Sequence, residues 1–399
     1  MRRTLIITSI ILVLLGVGVA VYFYFFSATT VTVTPDNGGG LPIAGESPTP
    51  ITEETPAPSS ATGSPTSVSA RLVKISAGPV VPGEVVVDTK APNASSSPEV
   101  TVSYIERQSG NIFSYKVAAS TLMRTSNKTL PGIQTAAWLP DASIAFVRYL
   151  SGADFSTINT YALRANGTNG FFLSQNISDL ATASTSVLSL ASGVNGSIAS
   201  LSHTDGTHSS TIFSTPLSAA HVSFAGKNQY LAFTKPSAKL PGDAFLVDSA
   251  GRFSRIAGPE NGLAALASPS GKWVLVSSVL DEAMHMELVN TVTGATIPLP
   301  IATIADKCVW AADESAIYCG VPMNPPLEAR YPDDWYQGAL SFNDRLWKIQ
   351  VADRYAQLVL DFPLEAKESL DATALAINPA GTVLVFVNKN DGSLWSYRL

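Results

Sequence analysis

The chain has 399 residues, of which only 14% are charged, and its formal net charge is -6. No run of Lys or Arg follows Arg2-Arg3, so the electrostatic footprint of a nucleic-acid binder is missing. Two cysteines and four histidines leave little material for a zinc site, while Ser, Thr and Asn fill the polar positions in a way that suits an exposed all-β surface.

Residues 5–26 carry no charge and are mostly apolar. At about 1.5 Å per helical residue they are long enough to cross a hydrocarbon core of roughly 30 Å. Tyr22, Phe23, Tyr24, Phe25 and Phe26 read as an interfacial aromatic belt, so residues 1–27 are expected to form an uncleaved single-pass anchor. Arg2 and Arg3 then stay in the cytoplasm and everything beyond residue 27 lies outside it. Residues 28–70 are rich in Pro, Ser, Thr and Gly and poor in large apolar side chains, which predicts a disordered tether.

From residue 71 onward the chain repeats a strand, a turn and a second strand. Trp138-Leu-Pro140-Asp, Phe224-Ala-Gly226-Lys, Ala267-Ser-Pro269-Ser-Gly271, Trp310-Ala-Ala312-Asp and Ile377-Asn-Pro379-Ala-Gly381 each open such a unit. Taking residues 140, 226, 269, 312 and 379 as equivalent gives spacings of 86, 43, 43 and 67. A period near 43 is that of a four-stranded propeller blade. The gap of 86 then hides a degenerate blade, whose first two strands are expected at 186–191 and 196–203. The gap of 67 implies an insertion in the blade that starts at Trp310, and one period back from 140 places the first blade's second strand at 100–105. The fold expected is an all-β, seven-bladed β-propeller spanning 71–399, with six or eight blades as alternatives. The last blade runs from Ala374 to Leu399 and has only three strands, joined through an Asp391-Gly392 turn expected to need positive φ at both residues. Residues 71–76 are expected to supply its fourth strand and close the ring.

The turns at Trp138-Leu-Pro-Asp141, Ser268-Pro-Ser-Gly271 and Asn378-Pro-Ala-Gly381 resemble those of WD-repeat-like propellers of bacterial envelopes, particularly the Tol-associated, TolB-like periplasmic kind. The resemblance implies a propeller whose partners are mostly other proteins, and it carries no residue set for any one of them.

Several stretches carry candidate chemistry. Residues 322–343 form a long connection containing Arg330, Asp333, Asp334, Trp335 and Tyr336, and they either lie over the propeller or offer those side chains as a recognition surface. His203, Asp205 and His208 are candidates for a divalent metal, read as lying on the same rim as the insertion, against the plainer reading of a solvated hairpin turn. Cys308 and Cys319 flank the Asp313-Glu314 turn at distances that let a hairpin pair them as a disulfide. There is no Gly-x-Ser-x-Gly, His-Glu-x-x-His, phosphate loop or dinucleotide fingerprint. A rim site using carboxylates such as Asp281, Glu282, Asp333 or Asp334 is the catalytic alternative. The expectation is therefore a membrane-anchored, extracytoplasmic propeller that is no enzyme, needs no cofactor, and binds or scaffolds a protein or glycan of the cell envelope. A cell-surface carbohydrate-active enzyme and a purely structural envelope module are the alternatives.

Overall fold

The computed structural model describes residues 66, 67, 69, 71–89 and 98–399. The expected anchor at 5–26 and most of the tether at 28–70 lie outside the described residues. Among those described, no helix is long and apolar enough to cross a membrane.

Seven antiparallel sheets follow one another along the chain. Blade 1 comprises Val85–Thr89, Glu99–Ile105, Ile112–Lys116 and Thr121–Arg124, and blade 2 comprises Ile133–Trp138, Ile144–Ser151, Thr157–Arg164 and Phe171–Phe172. Blade 3 is Ile177–Thr182, Ser186–Gly193, Gly196–His203 and Ser210–Thr215, and blade 4 is Ala220–Phe224, Gln229–Thr234, Gly242–Asp248 and Phe253–Glu260. Blade 5 is Ala264–Ala267, Trp273–Leu280, Ala283–Asn290 and Thr296–Pro298, and blade 6 is Cys308–Trp310, Ala316–Pro322, Asp344–Gln350 and Ala356–Asp361. Blade 7 takes Ala372–Ile377, Val383–Asn388 and Leu394–Arg398 from the end of the chain and Leu72–Lys74 from its beginning. First strands of neighbouring blades touch at five of the seven junctions, so the first strands ring a central channel. Second strands such as Ala316–Pro322 and Val383–Asn388 are buried along their whole length because a neighbouring blade covers each face, which is why they read as continuous apolar runs.

The ring closes as the sequence predicts. Leu72, Val73 and Lys74 pair with Tyr397, Ser396 and Trp395, and the short strand Thr66–Ser67 adds a fifth strand outside them. Arg71 donates from Nε to the Arg398 carbonyl at 2.7 Å, and Lys74 meets Asp391 at 2.9 Å. Chain direction divides the connections between two rims. The upper rim carries the links from second to third strands and from each blade to the next; the lower rim carries the other two turns of each blade.

Three expectations need correction. Blade 3 begins one strand earlier than predicted, at Ile177–Thr182, so 186–191 and 196–203 belong to its second and third strands. The hidden strand contains Asp179 and a bulge between Ile177 and Asp179, which removes the apolar alternation a strand normally displays. The periodicity itself was right, since stepping 43 back from 226 lands on the 183–185 turn. The Asp391-Gly392 connection is not a two-residue turn: only Gly392 has positive φ, at 71°, and its amide reaches back to the Asn388 carbonyl at 2.7 Å. A two-residue turn with positive φ at both positions occurs instead at Asp281-Glu282 in blade 5, with φ of 49° and 65°. Finally, His203–His208 lies between the third and fourth strands of blade 3, on the lower rim, opposite the insertion.

Candidate functional site

The insertion leaves blade 6 after Pro322 and folds back across the upper rim. Asp334 accepts hydrogen bonds from the Arg330 amide and from Arg330 Nη2, both at 2.9 Å, which closes the turn leading into the one-turn helix Asp333–Tyr336. Asp333 Oδ1 accepts the Ala238 amide of blade 4 at 3.2 Å. Trp335 is only 3% exposed, so of the two readings of the insertion its side chain follows the one that lies over the propeller. Its indole N–H donates to Asp371 Oδ2 at 2.9 Å, and its ring stacks on Phe342 with centroids 6.3 Å apart.

Beneath that indole is a buried ionic cluster. The Lys307 ammonium is fully buried and bonds Asp371 and, at 2.8 Å, Asp344. It lies 5.0 Å from the Trp335 ring centroid and 5.1 Å from that of Phe342. The Phe342 amide donates to Asp371 at 2.9 Å and the Ala372 amide to Asp344 at 2.8 Å. Burial pushes the Asp344 carboxyl up to about 6 against the pull of Lys307, and the Asp371 charge adds to the rise. Breaking such a network strands a buried charge, so its role is to clasp the insertion onto blades 6 and 7.

The residues next in sequence face the other way. Asp306 precedes Lys307, Tyr336 follows Trp335, and the Tyr336 hydroxyl donates to Asp306 Oδ2 at 2.7 Å. Asp306 keeps solvent access on the upper rim, although nearby protein desolvates its carboxyl. His221, at the start of blade 4, and Asp179, at the start of blade 3, approach to 3.3 Å between Nδ1 and Oδ2. Arg148, from the second strand of blade 2, donates to the Ser178 carbonyl and stands 3.8 Å from Asp179. Asp179 also accepts the amides of Leu180 at 3.0 Å and Val222 at 2.9 Å, so it ties two inner strands together. The His221 ring stacks on Phe233 with centroids 5.0 Å apart, and among the described residues its Nε2 makes no hydrogen bond.

Charge couples these groups across the channel mouth. Burial alone lowers the His221 pKa, but the hydrogen bond and charge of Asp179 and the charge of Asp306 outweigh it and the net shift is upward. Burial works against the Asp179 carboxylate, yet His221, Arg148 and the Val222 amide hold it below the usual range. Asp306 is raised, first by burial and also by the Asp179 charge, against the Tyr336 hydrogen bond and His221. Tyr336 is raised well above the ordinary phenol value by burial and by Asp306. The mouth thus offers an imidazole donor, a carboxylate and a phenol to a polar ligand.

The other sequence candidates lie apart from this cluster. Asp205 Oδ1 is occupied by the Thr207 amide at 2.9 Å and hydroxyl at 2.6 Å, and the His203 and His208 rings pack 4.6 Å apart. Among the described residues no group of three or more His, Cys, Asp or Glu is placed to hold a metal ion. Cys308 and Cys319 sit directly opposite in the blade 6 ladder and are joined by a disulfide. Asp281 and Glu282 stand at the tip of the blade 5 hairpin, whereas Asp333 and Asp334 are engaged by Ala238 and Arg330; the four carboxylates do not share one hydrogen-bonded site. A separate apolar cleft of about 370 Å³ lies between blades 3 and 4, lined by Phe213, Leu217, Val222, Phe233, Phe245 and Phe253.

Of the channel-mouth groups, sequence reasoning found only Tyr336. Arg148, Asp179, His221 and Asp306 were missed because each lies in or beside a strand with no motif around it and is separated from the others by tens of residues. Aligning the blades on their turns carries a usable signal, since charged residues then recur near the start of inner strands.

No protein-family model matches this chain, and no curated protein matches it in sequence. Solved propellers do match its structure. Oligogalacturonate lyase from Vibrio parahaemolyticus is similar at a TM-score of 0.54 with 9% identity, over 82% of this chain and 93% of that one. The β-propeller domain of the trilobed protease from Pyrococcus furiosus is similar at 0.51 with 8% identity, over 80% and 95%. That domain has an open velcro topology, whereas here Leu72–Lys74 closes blade 7. TolB from Acinetobacter baumannii is similar at 0.44 with 11% identity, over 79% and 80%, too weakly to set it apart from other propellers. These likenesses establish the propeller fold. They also correct the expectation that the chain is no enzyme by removing its ground: it drew on missing motifs from other folds, and a lyase is built on this one.

Proposed function

We propose that this protein is a membrane-tethered, extracytoplasmic propeller that recognises a polar group of a cell-envelope protein or glycan at the upper mouth of its channel. The observation that carries the reading is a pair of hydrogen-bonded or ion-paired groups on this rim, Arg148–Asp179–His221 from blades 2, 3 and 4 and Asp306–Tyr336 from the entry to blade 6 and the insertion, with the Asp306 charge acting on His221. Groups so held are costly to assemble, and they are positioned before any ligand arrives. The uncharged segment at 5–26 supports the tether, and the insertion supports a site on this rim because its buried face fixes Tyr336 over Asp306.

The test is binding by the detergent-solubilised full chain to immobilised envelope glycans and to envelope extract, beside an Asp306→Asn, His221→Ala variant. A hydrogen bond to a charged group is worth roughly 1.5 to 3 kcal/mol, so the variant should bind its ligand about 10- to 100-fold more weakly while still melting in one cooperative transition. Equal capture by both forms would refute the channel mouth as the site. Replacing residues 325–340 wholesale is a poor probe, because it would leave Lys307 and Asp371 buried without Trp335.

A further inference from the structure

Exposed apolar side chains are distributed unequally between the two rims. Phe155, Val194, Leu240, Leu280, Leu327 and Leu364 are 67%, 104%, 70%, 61%, 80% and 68% exposed. All six lie on upper-rim connections or at their edge, one in each of blades 2 to 6 and one in the helix Phe362–Ala366 that leads into blade 7. On the lower-rim turns only Val292 and Tyr355 are comparable among the described residues. Single exposed leucines are ordinary, but a ring of them around one end of a cylinder is not.

The path of the chain indicates what meets that ring. Lys74, at the upper end of its strand, pairs with Thr66, so the chain enters the propeller at the upper rim. Upstream, residues 27–65 separate that entry from the uncharged apolar stretch at 5–26. Thirty-nine residues (65 − 26) can span no more than about 140 Å. A membrane holding the apolar stretch would therefore confine the propeller within that reach, with the chain's point of entry on this rim.

We infer that the upper rim docks on a lipid surface, with the six apolar tips entering the interfacial layer around the channel mouth. This rests on the tethered reading above and sharpens it, because the ligand of the mouth would then be a group carried at the membrane surface. Each tip projects from a separate upper-rim connection, so none of them has to leave a blade to reach an interface there. The cleft lined by Leu217 and Phe213 reaches the same rim through Pro216 and adds apolar surface there.

The experiment uses the full chain in vesicles of phosphatidylcholine and phosphatidylglycerol at three to one. An environment-sensitive fluorophore is placed on Val194→Cys or, on the opposite rim, on Val292→Cys; both native cysteines are in the disulfide. Docking predicts a blue shift at position 194 and about twofold or greater quenching there by lipids carrying a shallow spin label, with neither effect at 292. Adding Leu280→Asp and Leu327→Asp should reverse both effects at 194 while the protein stays with the vesicles. Recovery with vesicles but no quenching at 194, or equal quenching at both positions, would overturn the docking and leave the tether standing. A shift at 194 that follows protein concentration and ignores the quencher would overturn it in favour of a second copy on this rim. Protein that does not co-float with vesicles would overturn tether and docking together.

Discussion

Asp306 and Lys307 are neighbours, and so are Trp335 and Tyr336, yet the two pairs they form across the insertion have opposite surroundings. Lys307 and Trp335 meet on Asp371 in a space with no solvent, where each donor has an acceptor and removal of one leaves a charge unpaired. Asp306 and Tyr336 meet on the upper rim where Asp306 keeps solvent access, and the Asp306 charge acts on His221. One short helix serves both sides, because consecutive side chains leave it in different directions. The clasp fixes the position of Tyr336, and the channel side keeps polar groups available.

This contrast can be broken or sharpened by substitution. The largest effect is expected from deleting residues 66–76, which opens blade 7 and exposes the edge of Leu394–Arg398; cooperative melting should be lost altogether. Next, Asp371→Ala leaves Lys307 and the Trp335 indole without their shared acceptor, and should cost about 3 to 5 kcal/mol in chemical denaturation. Cys308→Ser with Cys319→Ser removes a cross-link across 11 residues next to Lys307, which should cost roughly 2 to 4 kcal/mol at most, read as a lower urea midpoint.

Glu84, which immediately precedes the inner strand of blade 1, makes no hydrogen bond to either cluster and supplies a separate test. It is buried, neither carboxylate oxygen has a hydrogen-bond partner, and burial pushes it up to about 8 against the nearby Glu84 and Gly83 amides. A carboxyl whose folded pKa exceeds its unfolded value near 4.5 binds more protons when folded between those limits. Its contribution is full below the unfolded value and is lost as pH rises to about 8, with a slope of at most about 1.4 kcal/mol per pH unit. Glu84→Gln should flatten that part of the stability curve, seen as urea midpoints at acidic, neutral and alkaline pH. The sign for His221 is the same: its raised pKa gives stability at low pH that fades as the imidazole loses its proton, so ligand capture should weaken over that window.

The fold was legible because propeller blades repeat their turns. Pro140, Gly226, Pro269, Ala312 and Pro379 set the period, and the surplus in the last spacing located an insertion that runs from the end of Pro322 to Asp344. The strand containing Asp179 was hidden because an inner strand can hold a carboxylate when two neighbouring strands supply its amide donors, a pairing no local pattern reveals. The destination of Trp335 was equally illegible. An aromatic in a long loop has the same composition whether it faces a partner or a buried Lys307 that is distant in sequence.

The most direct test compares the two sides of the helix in full-length protein, with Tyr336→Phe and Asp306→Asn on one side and Asp371→Asn on the other, by melting and by ligand capture. The account predicts that the first two keep the wild-type melting temperature closely and lose capture about tenfold or more, while Asp371→Asn lowers the melting temperature and affects capture only as the fold is lost. Full capture by the Tyr336 and Asp306 variants, or a fall in their stability that matches that of Asp371→Asn, would contradict it.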